Sequence, residues 1–188
     1  MLLTSLQAFT GIHLAAIVGT TWILMLNAVV GYQFIDDGTA KSLGLILVSA
    51  LVLAIGTGYI ALDTAFAWTD QFQGPVRDAD HHRHIALYVL YQLAPLVFLF
   101  IFVVLEAILV LRVLGEKRPM LYLGAAVLLF AIGQIFQYVI STHICNGASG
   151  KLDGSLFETL FTLLAVVAIW YFWSSITEDD WPTPTGYP

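Results

Sequence analysis

Five long apolar stretches dominate this chain, and they decide the solvent in which it folds. They run over roughly residues 8–34, 42–66, 85–114, 121–142 and 155–175. Each reaches the length of about 20 apolar residues that a helix needs to cross a bilayer. Polar, turn-forming segments separate them: Asp36-Asp37-Gly38, then Thr69 to His84 with Gly74-Pro75 inside, then Gly115-Glu116-Lys117-Arg118-Pro119. Asn146-Gly147, Gly150 and Asp153-Gly154 precede the last stretch. The fold class expected is therefore all-α, a polytopic transmembrane helical bundle with five spans.

Composition removes the competing classes. Of 188 residues, 59% are hydrophobic and 11% charged, whereas soluble domains carry about 25% charged residues. A disordered chain needs the opposite balance. A disulfide scaffold is excluded because Cys145 is the only cysteine. Seven Lys plus Arg against thirteen Asp plus Glu give a net charge of −6 with no basic stripe, which speaks against nucleic acid as a partner. No internal repeat or long linker breaks the pattern, so residues 1–188 read as one helical domain with a short acidic tail over 176–188. The first stretch is too long for a cleaved signal peptide and lacks its basic leading region.

Five spans put the termini on opposite sides of the membrane. Lys41, Arg112, Lys117 and Arg118 fall on one side; Arg77, Arg83 and Lys151 fall on the other. Three of the first group crowd one short connection, which the positive-inside rule makes cytosolic. The acidic tail is then cytosolic, and the N-terminus lies on the lumenal or outer side.

Within the spans, small residues recur every four positions: Gly11, Ala15 and Gly19 in the first, and Ala50, Ala54 and Gly58 in the second. Such ladders let helix backbones approach closely in lipid, where little hydrophobic force acts between helices. Polar residues also align: His13, Thr20 and Asn27 at sevenfold spacing; Tyr88, Tyr91, Gln92 and Pro95; and Gln134, Gln137, Tyr138 and Ser141. These stripes are expected to face protein. Ser155-Leu156-Phe157-Glu158 fits a capping box, which makes Glu158 a cap and not a catalytic carboxylate. Trp170, Tyr171, Phe172 and Trp173 read as an interfacial aromatic belt.

Residues capable of chemistry are few. His81, His82, His84 and His143 share one membrane side in this topology with His13, Asp63, Asp78 and Asp80. Imidazoles and carboxylates on one rim can hold a catalytic zinc, so a metal-dependent intramembrane hydrolase is one alternative. The spacing is not that of a zinc motif, since there is no His-Glu-x-x-His, and adjacent loop histidines are usually solvated. Glu106 is the one carboxylate well inside a span, and intramembrane ionisable residues mark ion or proton paths. A small-solute or proton transporter using Glu106 and Gln134 is the other alternative, opposed by the lack of broken helices or paired halves. The bland reading of Glu106 is a side chain within reach of water or Arg112 near the cytosolic end. Cys145 beside His143 has the residue types of a nucleophile and base, but sequence proximity guarantees neither reach nor orientation. From the residues alone, protein–protein recognition in a membrane is favoured, with no cofactor.

Two stretches are more specific. One is Gly31-Tyr32-Gln33-Phe34-Ile35-Asp36-Asp37-Gly38-Thr39. The other runs from His143-Ile144-Cys145-Asn146 through Lys151-Leu152-Asp153-Gly154 and Leu163-Leu164-Ala165-Val166-Val167 to Trp173-Ser174-Ser175-Ile176-Thr177-Glu178-Asp179-Asp180. With Ile132-Gly133-Gln134, they resemble the fungal chitin synthase export chaperone family over most of the chain. That resemblance implies a multi-pass protein of the endoplasmic reticulum that binds a chitin synthase, lets it leave for the cell surface and has no enzymatic activity of its own. It also implies a family architecture of about seven spans, of which this chain carries the last five, as a short member or a fragment. Two missing spans would leave the orientation unchanged. In a full-length relative the cysteine matching Cys145 would be lumenal, where oxidising conditions allow it to pair with one in the preceding segment. The tail from Thr177 to Asp180 is a candidate contact for export-coat machinery, against the plainer reading of a solvated acidic end.

Overall fold

The computed structural model describes residues 2–33, 38–66, 68–69, 85–115, 117–141, 143 and 154–177. Helices account for nearly all of them, and no strand occurs among the described residues. We number the helices α1 (Leu2–Val30), α2 (Ala40–Phe66), α3 (85–114), α4 (Arg118–Ile140) and α5 (Gly154–Thr177). Each contains a segment long and apolar enough to cross a membrane. The first helix starts about six residues earlier than the sequence suggests and ends at Val30, before the Gly31-Tyr32-Gln33 turn.

Local chemistry sets the helix ends. After α1, Gly31 N–H still bonds Asn27 O at 3.0 Å, but Tyr32 and Gln33 bond carbonyls only three residues back. This tightening ends the helix, and Gln33 adopts a left-handed φ of 57°. Thr39 then caps α2: its Oγ1 accepts the Ser42 N–H at 3.3 Å, satisfying one of the donors a helix start leaves open. At the far end of α2, the buried Asp63 carboxylate accepts from both the Thr69 N–H and the Thr69 hydroxyl, each at 2.7 Å. Between α3 and α4, Gly115 takes the left-handed conformation (φ 71°) that closes many helices. Pro119 follows in the first turn of α4, where its missing N–H costs nothing.

Three π-helical segments widen the helices: Val89–Leu93 and Leu109–Leu114 in α3, and Phe136–Ile140 in α4. The first has a clear cause. Pro95 has no N–H to donate, and its ring crowds the carbonyl four residues earlier. The wider turn shifts the bonding by one residue, so that Ala94 N–H reaches Val89 O.

The chain divides into two compact units, Met1–Glu106 and Ala107–Pro188, with the division falling within α3. In the first unit, α1 and α2 pack antiparallel along small residues. A Cβ placed on Gly58 would lie 3.3 Å from the Ala15 Cβ. One placed on Gly19 would lie 3.4 Å from the Ala54 Cβ and 3.8 Å from Ala50 O, and one on Gly11 would meet Leu62 at 2.8 Å. The backbones are close because no larger side chains stand between them. Val18, Met25, Ala28, Ala50, Ala61 and Phe102 are buried in this unit. The outer face of α2 is apolar instead, with Leu45, Val48, Leu51, Val52 and Ile55 exposed. Exposed apolar surface of this extent belongs against hydrocarbon.

In the second unit α4 pairs with α5. Gly133 faces Glu158 and Phe161, with a Cβ there 3.2 Å from the Phe161 Cβ. Phe136 stacks on Phe157 and Phe161 at 5.2 and 5.4 Å, and Tyr122 on Tyr171 at 6.1 Å. Leu123, Ala126, Ala165 and Phe172 are buried.

The α1–α2 spacing makes a direct prediction. Gly58→Leu should lower the melting temperature in mild detergent, equivalent to about 1–3 kcal/mol of overpacking. Ile55→Phe, at a side chain 68% exposed, should change it little. The comparison is a thermal melt of the two purified variants, and equal melting temperatures would count against the seam.

Candidate functional site

The first unit concentrates its specific polar contacts around Trp22. Its indole N–H donates to Ser49 Oγ at 2.9 Å, and its ring meets Phe98 edge-on at 5.0 Å, so one side chain links α1, α2 and α3. The Tyr32 hydroxyl donates to Leu105 O at 2.6 Å, tying the turn after α1 to α3. That carbonyl lies four residues before α3 widens at Leu109. Where the seam opens at the start of α1, a cavity of about 230 Å³ is lined by Leu6, Gln7, Thr10, Leu14, Ala61 and Leu87.

In the second unit the specific feature is the junction of α4 and α5. Gly154 is buried, and its N–H donates to Ser141 Oγ at 3.1 Å. A Cβ at this position would meet the Phe136 carbonyl and Ser141, so the junction accepts only glycine. Ser175 Oγ donates to Phe172 O at 2.7 Å, and Trp173 packs edge-on against Phe172 at 5.9 Å. Ile176 is half-buried beside them in sequence.

The polar stripes part company. Tyr91, Gln92, Gln134, Gln137 and Ser141 are half-buried and Pro95 is buried, while Tyr88 and Tyr138 are exposed. His13, Thr20 and Asn27, expected to face protein, are exposed on the chain. The reason is geometric: α1 commits its Gly11–Ala15–Gly19 side to α2, and the stripe lies on the opposite side. The capping box is also displaced. Because α5 begins at Gly154, Glu158 lies beyond the first turn, and its Oε1 accepts from Thr162 Oγ1 at 3.2 Å. Glu106 is buried, with no hydrogen-bond partner for either carboxylate oxygen among the described residues, and Arg112 is exposed. Six residues along a helix place the two side chains on different faces, which removes the expected reach between them. Thr57 Oγ1 and Gln137 Oε1 are likewise buried without partners among the described residues.

Among the described residues no three His, Cys, Asp or Glu side chains come together as a metal site. His143 is exposed. His81, His82, His84, Asp36, Asp37, Cys145, Asp153, Glu178 and Asp179 lie outside the described residues, as does the side chain of Thr177. Gly38 precedes the α2 cap with a φ of 71°. Sequence reasoning missed Trp22, the Tyr32 hydroxyl and the Asp63–Thr69 clamp. The signal for Trp22 was its place inside a span, away from the interfacial level that tryptophan favours.

Seams of small residues, apolar outer faces and a few buried hydrogen bonds define a multi-pass helical membrane protein. Comparison with known proteins names it further: the chain belongs to the chitin synthase export chaperone family, whose profile matches residues 3–187. It is 34% identical over 157 residues to the chitin synthase export chaperone of Coccidioides immitis, covering 84% of this chain and 45% of the relative. The Chaetomium globosum protein of that name is 33% identical over 172 residues, covering 92% of this chain and 49% of the relative. The Neurospora crassa protein is 33% identical over 157 residues, covering 84% and 42%. The chain thus spans about half the length of the curated relatives it matches. No solved structure matches it.

The Tyr32 bond supplies a test of this region. Tyr32→Phe keeps the ring and removes one donor, and should cost about 0.5–1.5 kcal/mol. A thermal melt in mild detergent reads the loss, and an unchanged midpoint would show that the hydroxyl does not hold the turn to α3.

Proposed function

We propose that this chain binds a chitin synthase in the endoplasmic reticulum membrane and permits its export to the cell surface, supporting chitin deposition in the wall. The observation that carries this reading is the family match over residues 3–187, which takes in all five helices and the segments between them. The architecture suits the task. A polytopic client exposes polar or poorly packed helix faces until it matures, and a helical partner within the bilayer can cover them. Close packing and modest hydrogen bonds, on the order of 0.6 kcal/mol each, hold such a contact without making it permanent. The role requires binding and release and no catalysis.

The orientation belongs to the same proposal. Arg112, Lys117 and Arg118 crowd the α3–α4 connection, and the positive-inside rule favours a cytosolic side for it and for the C-terminus. There the acidic end from Thr177 to Asp180 is available to export-coat machinery. The Gly11, Ala15, Gly19, Ala50, Ala54 and Gly58 ladders serve the fold in this account by closing the α1–α2 seam, and leave client contact to other faces. Gln134 and Gln137 remain candidates for helix packing or client contact in the second unit.

Purification of the full chain in mild detergent from its native membranes should recover a chitin synthase, identified by mass spectrometry. Its consistent absence, with the bait abundant and folded, would overturn the chaperone reading. For orientation, a reporter fused after Pro188 should read cytosolic and one placed between Asp78 and His84 should read lumenal. The reverse pair of readings would invert the topology.

A further inference from the structure

The turn joining α3 to α4 stands clear of the packed side chains of the second unit. Val110 is fully buried, but Leu111, Arg112, Val113, Leu114 and Gly115 are all exposed. Lys117 and Arg118 are exposed as well, and burial resumes at Pro119. Three cations thus lie within this short stretch, against the single carboxylate of Glu116, which falls outside the described residues. No acidic residue occupies the first turn of α4. None of the three cations has a hydrogen-bond or ion-pair partner among the described residues. The connection is short and Leu109–Leu114 packs against α4, so both flanks of the turn lie at about one depth.

Neighbouring side chains set that depth. Tyr122 stacks on Tyr171, Trp170 meets Tyr171 edge-on, and all three are exposed. Exposed tyrosine and tryptophan gather where hydrocarbon gives way to headgroups. Arg118 lies one helical turn before Tyr122, about 6 Å farther out along the axis. The Ala86–Leu114 span has 29 residues, more than the roughly 20 that the hydrocarbon core needs, so its last turn reaches the headgroups too. Leu111, Val113, Leu114 and Leu121 are exposed among the cations. Long basic side chains in such a place lay their stems on apolar surface and carry the charge outward.

We infer that the α3–α4 turn binds anionic phospholipid, with the headgroup on Arg112, Lys117 and Arg118 and the acyl chains along Leu111, Val113, Leu114 and Leu121. Charge complementarity names the ligand. Guanidinium groups match phosphate oxygens in a two-pronged geometry, and an anionic leaflet attracts basic residues placed next to a span. A free anion would answer the cations and leave the apolar side chains between them in water. A phospholipid offers phosphate and hydrocarbon in the order in which the turn presents them. Both flanks of the site belong to this chain. Binding to the folded hairpin and not to the unfolded one makes the stability of the second unit depend on lipid charge. Three cations give a preference, not a permanent attachment.

The test offers the purified full chain equal amounts of phosphatidylcholine and phosphatidylinositol in mild detergent and weighs the retained lipid by native mass spectrometry. The unsubstituted chain should retain phosphatidylinositol in excess. Each of Arg112→Gln, Lys117→Gln and Arg118→Gln should lower that excess about fivefold at low salt. The Arg112→Lys, Arg118→Lys variant keeps the charge and should keep most of the excess. Equal retention of the two lipids, or an excess undiminished in the triple Gln variant, would overturn the inference. Displacement of the lipid by inorganic phosphate, beyond that caused by chloride of equal ionic strength, would assign the turn to a free anion and overturn it too. In native membranes a photo-crosslinking residue at Val113 should form phospholipid adducts; adducts confined to protein would count against lipid as the ligand. The three cations are exposed, so their loss should leave the melting temperature in phosphatidylcholine unchanged. If the triple Gln variant melts early, the charge-keeping variant and the Val113 adduct decide.

Discussion

Close approach of α1 and α2 over small residues is the contact on which the first unit depends. Where lipid surrounds both helices, moving an apolar side chain from lipid into a seam gains little, so attraction comes from dispersion between well-matched surfaces. Dispersion falls off within an ångström, which is why Ala15 opposite Gly58 and Gly19 opposite Ala54 matter more than larger apolar residues on the same helices. Once these positions are engaged, the rest of the unit is constrained. Trp22 reaches Ser49 across the seam and Phe98 on α3, and Tyr32 is delivered to Leu105.

The same contact determines what the helix presents outward. Rotation of α1 is fixed by Gly11, Ala15 and Gly19, and the opposite face then carries His13, Thr20 and Asn27 whatever surrounds them. A polar stripe in a membrane span is tolerable only if something answers it. The second unit solves a related problem differently. There Gly133 and Gly154 admit the backbone and side chains of the paired helix, and aromatic stacks around Phe136 fill the space beside them. The wider π turn at Phe136–Ile140 falls at this junction, next to the Ser141 hydroxyl that receives the Gly154 N–H.

The five spans and the all-helical class were legible because hydrocarbon thickness sets helix length, and length and apolarity can be counted along a sequence. Spacing of four picks out Gly11, Ala15, Gly19, Ala50, Ala54 and Gly58; that Gly58 meets Ala15, and not some other surface, is visible only in three dimensions. The outward turn of His13, Thr20 and Asn27 could have been deduced from the ladder by helical rotation alone, yet a polar stripe in a span invites the opposite expectation. Glu158 was misplaced because the α5 start moved to Gly154, and a capping box works only at one register. Hydrogen bonds such as Tyr32 to Leu105 were not legible at all, since a backbone carbonyl carries no mark in the sequence.

The most direct test of this account is pairwise cysteine crosslinking in native membranes, in a chain whose Cys145 is first replaced by serine. A Cβ at Gly58 lies 3.3 Å from that of Ala15, close to the separation of about 3.5–4.5 Å that a disulfide bridges. The Ala15→Cys, Gly58→Cys pair should therefore crosslink within one chain under mild oxidation. The His13→Cys, Ile55→Cys pair should not, because both positions look outward. Crosslinking of the second pair without the first would contradict the rotation of α1 and everything derived from it.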